Sequence, residues 1–218
     1  MATSRFLTMR REAIGFAVGS LFFLVGPWPW YADAVGVVVV NMTFFVGSVF
    51  FTAAASLQLM LDGRRPPRAF TPRGDLLDYW SAVVQLAGTV LFNVSTLLAL
   101  LGSLEDPDAV GGGWRADAWG SAAFLVAGVL ALGALRRRHE LWDVLARTPG
   151  AVWLNLVGSV AFAASAVGAY VVPATDRLLS EWWTAVGTVL GAACFLLAAV
   201  LTRPAATAHA AGSTGVSA

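Results

Sequence analysis

Apolar residues fall in six long uncharged runs along this chain, with polar and charged residues collected between them. The runs cover approximately residues 13–31, 34–61, 79–103, 118–135, 151–175 and 182–202. Each is close to the ~20 residues that a helix needs to span a hydrocarbon core of ~30 Å. The pattern therefore predicts six membrane-spanning helices. The first run contains Pro27 and Pro29. Proline lacks the amide proton and clashes with the preceding turn, so that helix should stop or kink near Gly26.

A second pattern lies inside the runs. Each carries a glycine followed at once by serine or threonine: Gly19-Ser20, Gly47-Ser48, Gly88-Thr89, Gly120-Ser121, Gly158-Ser159 and Gly187-Thr188. The first, third and fifth glycines stand 69 and 70 residues apart, and the second, fourth and sixth stand 73 and 67 apart. Regular self-similarity of this kind marks internal repeats. It predicts three tandem parallel two-helix repeats forming a pseudo-threefold all-α membrane bundle. Segments 1–62, 79–136 and 151–203 are the repeats. Residues 63–78 are a cytoplasmic loop, 137–150 a basic amphipathic loop, and 204–218 a disordered tail.

In lipid, helices associate through close packing and interhelical hydrogen bonds, because the solvent is as apolar as the side chains. Glycine lets backbones approach, and the adjacent hydroxyl bonds to its own helix or to a neighbour. Full small-residue spacing occurs at Gly15/Gly19 and Gly187/Gly191. These glycines and hydroxyls are the expected helix-packing residues. The competing role for them is the lining of a narrow path.

Composition supports lipid as the solvent. The 218 residues are 58% hydrophobic and 12% charged, against roughly 25% charged in soluble domains. A net charge of +1 leaves no basic excess for phosphates, which argues against nucleic acid as a partner. Twelve of the fourteen arginines lie in the N-terminal segment, the second-to-third and fourth-to-fifth connections, and the C-terminal side. Only Arg115 and Arg177 lie on the other side. By the positive-inside rule both termini are cytoplasmic, with the arginines meeting anionic headgroups. Trp28, Trp30, Trp114, Trp119, Trp182 and Trp183 fall at the outer ends of the runs and Trp80, Trp142 and Trp153 at the inner ends. Interface anchoring is the expected role of these indoles. Arg10-Arg11, an apolar stretch and Ala32-Asp33-Ala34 have the outline of a signal peptide. Cleavage there would delete half of a repeat, so retention is expected.

Candidate chemistry is sparse. No Asp, Glu, Lys, Arg or His lies within the six runs, which disfavours a proton relay, a voltage sensor and an intramembrane metalloprotease. Cys194 is the only cysteine, His139 and His209 are the only histidines, and no phosphate-binding loop exists. The expectation is a non-enzyme without cofactor or metal. Uncharged polar residues remain. Ser81, Gln85, Thr89 and Asn93 follow at i, i+4 spacing on one helix face, with Asn41 in the second run and Asn155 in the fifth. Gln85, Thr89, Asn93, Asn41 and Asn155 are either interhelical glue or the wall of a polar path.

The phrases FAVGSLFF (16–23) and FFVGSVFF (44–51) resemble the F-x-x-G-S-x-x-F phrases of the YrhK-like family of small bacterial membrane proteins, whose domain has two spans. Later units keep LAGTVLF (86–92), WGSAAF (119–124), LVGSVAF (156–162) and VGTVLG (186–191). The resemblance covers about 50 residues well and the rest faintly. It implies a two-span hairpin as the unit, here in three copies where the family's short form has one. It implies no activity that carries over. The functional expectation is a membrane scaffold or accessory protein that self-associates or docks on a membrane partner. The alternative is a small transporter or channel for an uncharged or weakly polar solute.

Overall fold

The computed structural model describes residues 2–62, 73–107, 111–141 and 149–202. They form seven helices and one short hairpin: α1 (Ala2–Val25), α2 (Pro29–Val35), α3 (Val37–Asp62), α4 (Arg73–Glu105), α5 (Trp114–Arg137), α6 (Pro149–Gly168), β1 (Val171–Val172), β2 (Arg177–Leu178) and α7 (Glu181–Leu201). Helices α3 to α7 are each long and apolar enough to cross a membrane. The first helix meets that test only together with α2, as a broken span bent by 86°. The bend sits at the expected prolines. Pro27 follows the last turn of α1, and Pro29 occupies the first turn of α2, where a missing amide proton costs nothing. An all-helical protein with five or six apolar helices of spanning length is consistent with a multi-pass membrane protein.

Two segments differ from the hydrophobic pattern. Helix α4 begins at Arg73, well before the apolar run, and has 33 residues. At 1.5 Å per residue it is about 50 Å long, so its charged first turns project beyond a hydrocarbon core. The fifth apolar run stays helical only to Gly168. Beyond it, Val171 and Val172 pair with Leu178 and Arg177. β-Branched residues followed by Pro173 favour extended backbone over helix, and Asp176 closes the turn at φ 53°. Ser180 then caps α7, its Oγ accepting from the Trp183 amide at 3.2 Å.

Consecutive long helices are antiparallel and packed side by side. Gly15 and Gly19 of α1, and Gly26 just beyond its end, oppose Ala54, Gly47 and Phe44 of α3. Gly88 and Gly120 bring α4 against α5, and Gly158 and Gly187 bring α6 against α7. Helix α3 also packs on α4, α5 on α6, and α7 back on α1, which closes a ring of six helices. Exposed Val and Leu cover the outside, including Val129, Val160, Val167, Leu190 and Val200 at 53–62% exposure. A water-soluble fold would hide such side chains, whereas here the interior is aromatic, small or hydroxylic. Lipid is the solvent that suits this inversion.

Gly113 is required by two constraints. Its φ is 79°, and a Cβ there would lie 2.3 Å from the Ser95 carbonyl oxygen. The start of α5 thus rests directly on the α4 backbone. The proposed tail (204–218) and most of the two basic loops (63–72 and 142–148) lie outside the described residues.

Candidate functional site

Six phenylalanines, one from each long helix, meet on the bundle axis. Phe23, Phe51, Phe92, Phe124, Phe162 and Phe195 are each 4–5% exposed. Their ring centroids stand 5.0–6.5 Å apart in tilted or edge-on pairs, the geometry that ring quadrupoles favour. Phe23 reaches Phe92 and Phe162 on other hairpins, and Phe51 reaches Phe195. The layer joins all six helices.

Glycine makes room for these rings. Within each antiparallel pair, the glycine of one helix faces the phenylalanine of the other. A Cβ on Gly19 would meet the Phe51 ring at 3.3 Å, and one on Gly47 the Phe23 ring at 3.0 Å. The corresponding approaches are Gly88 to Phe124 at 3.0 Å and Gly120 to Phe92 at 2.5 Å. In the last pair they are Gly158 to Phe195 at 2.8 Å and Gly191 to Phe162 at 2.7 Å. Gly187 lies one turn away, where a Cβ would strike the Ala161 carbonyl oxygen at 2.6 Å and the Ser165 amide at 2.7 Å. It is a backbone contact, and the ring-facing residue of α7 is Gly191. Gly15 faces the Ala54 methyl at 3.0 Å.

The hydroxyls beside these glycines are used locally. Ser20 donates to Phe16 O, Thr89 to Leu86 O and Ser159 to Asn155 O, all on their own helices at 2.7–2.8 Å. Ser48 reaches across to Thr96 at 2.9 Å, Ser121 donates to Phe162 O at 3.4 Å, and Thr188 pairs with Ser165 at 2.8 Å. Ser20, Ser48, Thr89, Ser121 and Ser159 are at most 2% exposed. Of these five, Ser159 borders the cavity that Gln85 and Asn155 line.

The five residues of the candidate polar path separate into two groups. Asn41 donates to Ala99 O at 3.3 Å, and Asn93 donates to Thr52 Oγ1 at 2.8 Å. With Ser48–Thr96 these bonds stitch α3 to α4. Asn93 Oδ1 stays buried without a partner, at a cost of about 1–3 kcal/mol. Gln85 and Asn155 instead line a cavity of about 280 Å³ between the phenylalanine layer and the helix ends at Leu61, Arg138 and Thr202. Thr89, at 0% exposure, lies between the two groups. The five do not make one continuous row.

Residues from all six long helices surround this vestibule. Phe16, Phe124 and Phe195 form its floor, and Glu12, Gln58, Gln85 and Asn155 are among its polar walls. Gln85 is 8% exposed. The side-chain amides of Gln58, Gln85 and Asn155 make no hydrogen bond among the described residues, and Gln58 Oε1 is wholly buried. At the mouth, Arg138 pairs with Asp78 and, at 3.1 Å, with Glu140. The hydrogen bond from Arg138 to Asp78 raises the guanidinium pKa against the opposing effect of burial, so this charge stays in place.

Sequence reasoning missed the phenylalanine layer, Gln58 and the Asp78–Arg138 pair. The layer had a signal: phenylalanine stands four residues after Gly19, Gly47, Gly88, Gly120, Gly158 and Gly191. Reading the last helix from Gly191 also tightens the even spacing to 73 and 71 residues. Gln58 and the ion pair had none, since the cavity wall and the Asp78–Arg138 contact are each assembled from segments distant in the chain. The indoles also divide. Trp28, Trp30, Trp80, Trp119, Trp182 and Trp183 are 46–70% exposed, as interface anchors would be. Trp114 turns inward and donates from Nε1 to Ala166 O at 2.8 Å, tying α5 to α6. Among the described residues, no cluster of three or more His, Cys, Asp or Glu could hold a metal ion.

Compared with known proteins, the chain matches no family model, no curated protein and no solved structure. The site is therefore read from its own geometry.

Proposed function

We propose that the protein is a non-enzymatic membrane scaffold or accessory protein of a bacterial inner membrane, with both termini cytoplasmic. Its bundle is a threefold duplication of a YrhK-like helical hairpin. The observation that carries the scaffold reading is the phenylalanine layer, which fills the axis with contributions from every long helix. A scaffold needs a dry, rigid centre, and interlocked rings held by facing glycines supply one. The duplication is supported by the glycine–phenylalanine exchange, which recurs in α1/α3, α4/α5 and α6/α7.

The test is solute flux in proteoliposomes. Osmotic shrinkage against glycerol should proceed at the rate of protein-free vesicles. A rate several-fold faster would overturn the sealed scaffold in favour of a second reading, a transporter for a small uncharged solute. The vestibule is the observation that favours that second reading, with the phenylalanine layer as its gate. Reporter fusions at the two ends test the topology. Both should report the cytoplasm, and opposite locations would overturn the three-hairpin arrangement.

A further inference from the structure

The vestibule has a chemistry of its own that a sealed scaffold does not need. Carboxamides from three helices, Gln58 on α3, Gln85 on α4 and Asn155 on α6, border one cavity; those of Gln85 and Asn155 have donors and acceptors unspent, whereas Gln58 Oε1 is wholly buried. Buried polar groups in membrane proteins are ordinarily satisfied by a neighbour. On the other side of the layer the amide nitrogens of Asn41 and Asn93 are both spent, bonding across α3 and α4. Unspent amides converging on a space of about 280 Å³ are arranged for a guest that brings the partners.

From this geometry we infer that the vestibule is a binding site for a small neutral polyol, seated on Phe16, Phe124 and Phe195 and held by Gln85 and Asn155. A carboxamide offers an acceptor oxygen and a donor nitrogen side by side. Adjacent hydroxyls on a carbon chain present the complementary donor and acceptor, so one amide takes two neighbouring hydroxyls. The aromatic floor receives the C–H face of such a chain, as a mostly apolar pocket with few polar groups requires. Charged guests fit less well. Asp78 and Arg138 are committed to each other at the mouth, with Arg138 also pairing with Glu140, so neither is free to hold a charged guest. No group of three or more His, Cys, Asp or Glu among the described residues could hold a metal ion there. The cavity size favours about four to six carbon atoms.

The site is independent of flux and can be tested in a protein that conducts nothing. Cys194→Ala removes the only native thiol. Ala131→Cys then places a reporter on the cavity wall without altering the amides, and Arg137→Cys gives an exposed reporter near the same helix ends. Both are labelled in lipid nanodiscs with a small thiol reagent, with and without erythritol. Reaction at Ala131→Cys should slow at least about fivefold, and saturably, as erythritol occupies the site. Reaction at Arg137→Cys should not change. Adding Gln85→Leu and Asn155→Leu should abolish the protection while leaving erythritol-free labelling of Ala131→Cys in place. The proposal is overturned if Ala131→Cys is inert while Arg137→Cys reacts. Equal slowing at both sites, or none, overturns it as well. The intact-amide protein alone decides the matter if the double variant fails to fold.

Discussion

Truncating Phe162 tests the claim that the aromatic layer holds the bundle together. Its ring lies 5.6 Å from Phe195, 5.8 Å from Phe92, 6.1 Å from Phe23 and 6.5 Å from Phe124. Those partners sit on α7, α4, α1 and α5, so Phe162→Ala weakens contacts with four helices at once. The change empties a volume on the order of 100 Å³, which at ~24 cal/mol per Å³ of residual cavity corresponds to about 2.4 kcal/mol. The full ~3–5 kcal/mol typical of soluble cores is not expected, because lipid tails are no more hostile to a benzyl group than the protein interior. Lost ring–ring attraction adds a fraction of ~0.5–1.5 kcal/mol per pair. The expected loss is therefore about 2–3 kcal/mol. It can be read by circular dichroism during denaturation with sodium dodecyl sulfate in mixed micelles. Val160→Ala, at a position 55% exposed on the outer face, is the control and should shift stability by less than about 0.5 kcal/mol. Phe162→Leu should recover part of the loss. If Phe162→Ala falls within error of the Val160→Ala control, the layer is not what holds these helices together.

Gly120→Ala should destabilise by about 1–3 kcal/mol, because its Cβ would stand 2.5 Å from a Phe92 ring that is pinned by Phe124 and Phe162. Gly102→Ala, with nothing within 4 Å, should instead stabilise α4 by about 0.5–1 kcal/mol in the same titration. A double-mutant cycle on Thr52→Ala and Asn93→Ala should give a coupling near 0.6 kcal/mol for the α3–α4 hydrogen bond, and additivity would show that bond to be idle. Ser180→Ala removes the oxygen that caps α7 at Trp183 and should cost about 1 kcal/mol. Faster hydrogen exchange confined to the first turn of α7 should accompany it.

Much of the architecture is legible in the chain because lipid imposes a simple requirement. A spanning helix must be apolar over about 20 residues and must satisfy its own backbone. That requirement places α3, α4, α5, α6 and α7 in the hydrophobic pattern, and the Gly26-Pro27 break in α1 follows from proline chemistry. Glycine beside serine or threonine marks the levels of close approach. Hydropathy alone carries the fifth apolar run to residue 175, because it does not separate helix from a β-branched turn ending in proline.

The contacts that decide the site were not legible, for a physical reason. Phenylalanine on an apolar helix reads the same whether it faces lipid or the bundle axis, since both surroundings are apolar. Only the ring of helices, with each glycine opposite a phenylalanine of its antiparallel neighbour, turns six ordinary residues into one layer. Amides behave likewise. Asn93 and Gln85 share one face of α4 by spacing. Their surroundings differ because Asn93 meets Thr52 of α3, whereas Gln85 opens on the vestibule. Sequence by itself determined where the chain can live among lipids and where its backbones can touch. The tertiary structure decided which side chains close the centre and which remain free to bind, because those outcomes depend on neighbours many residues away.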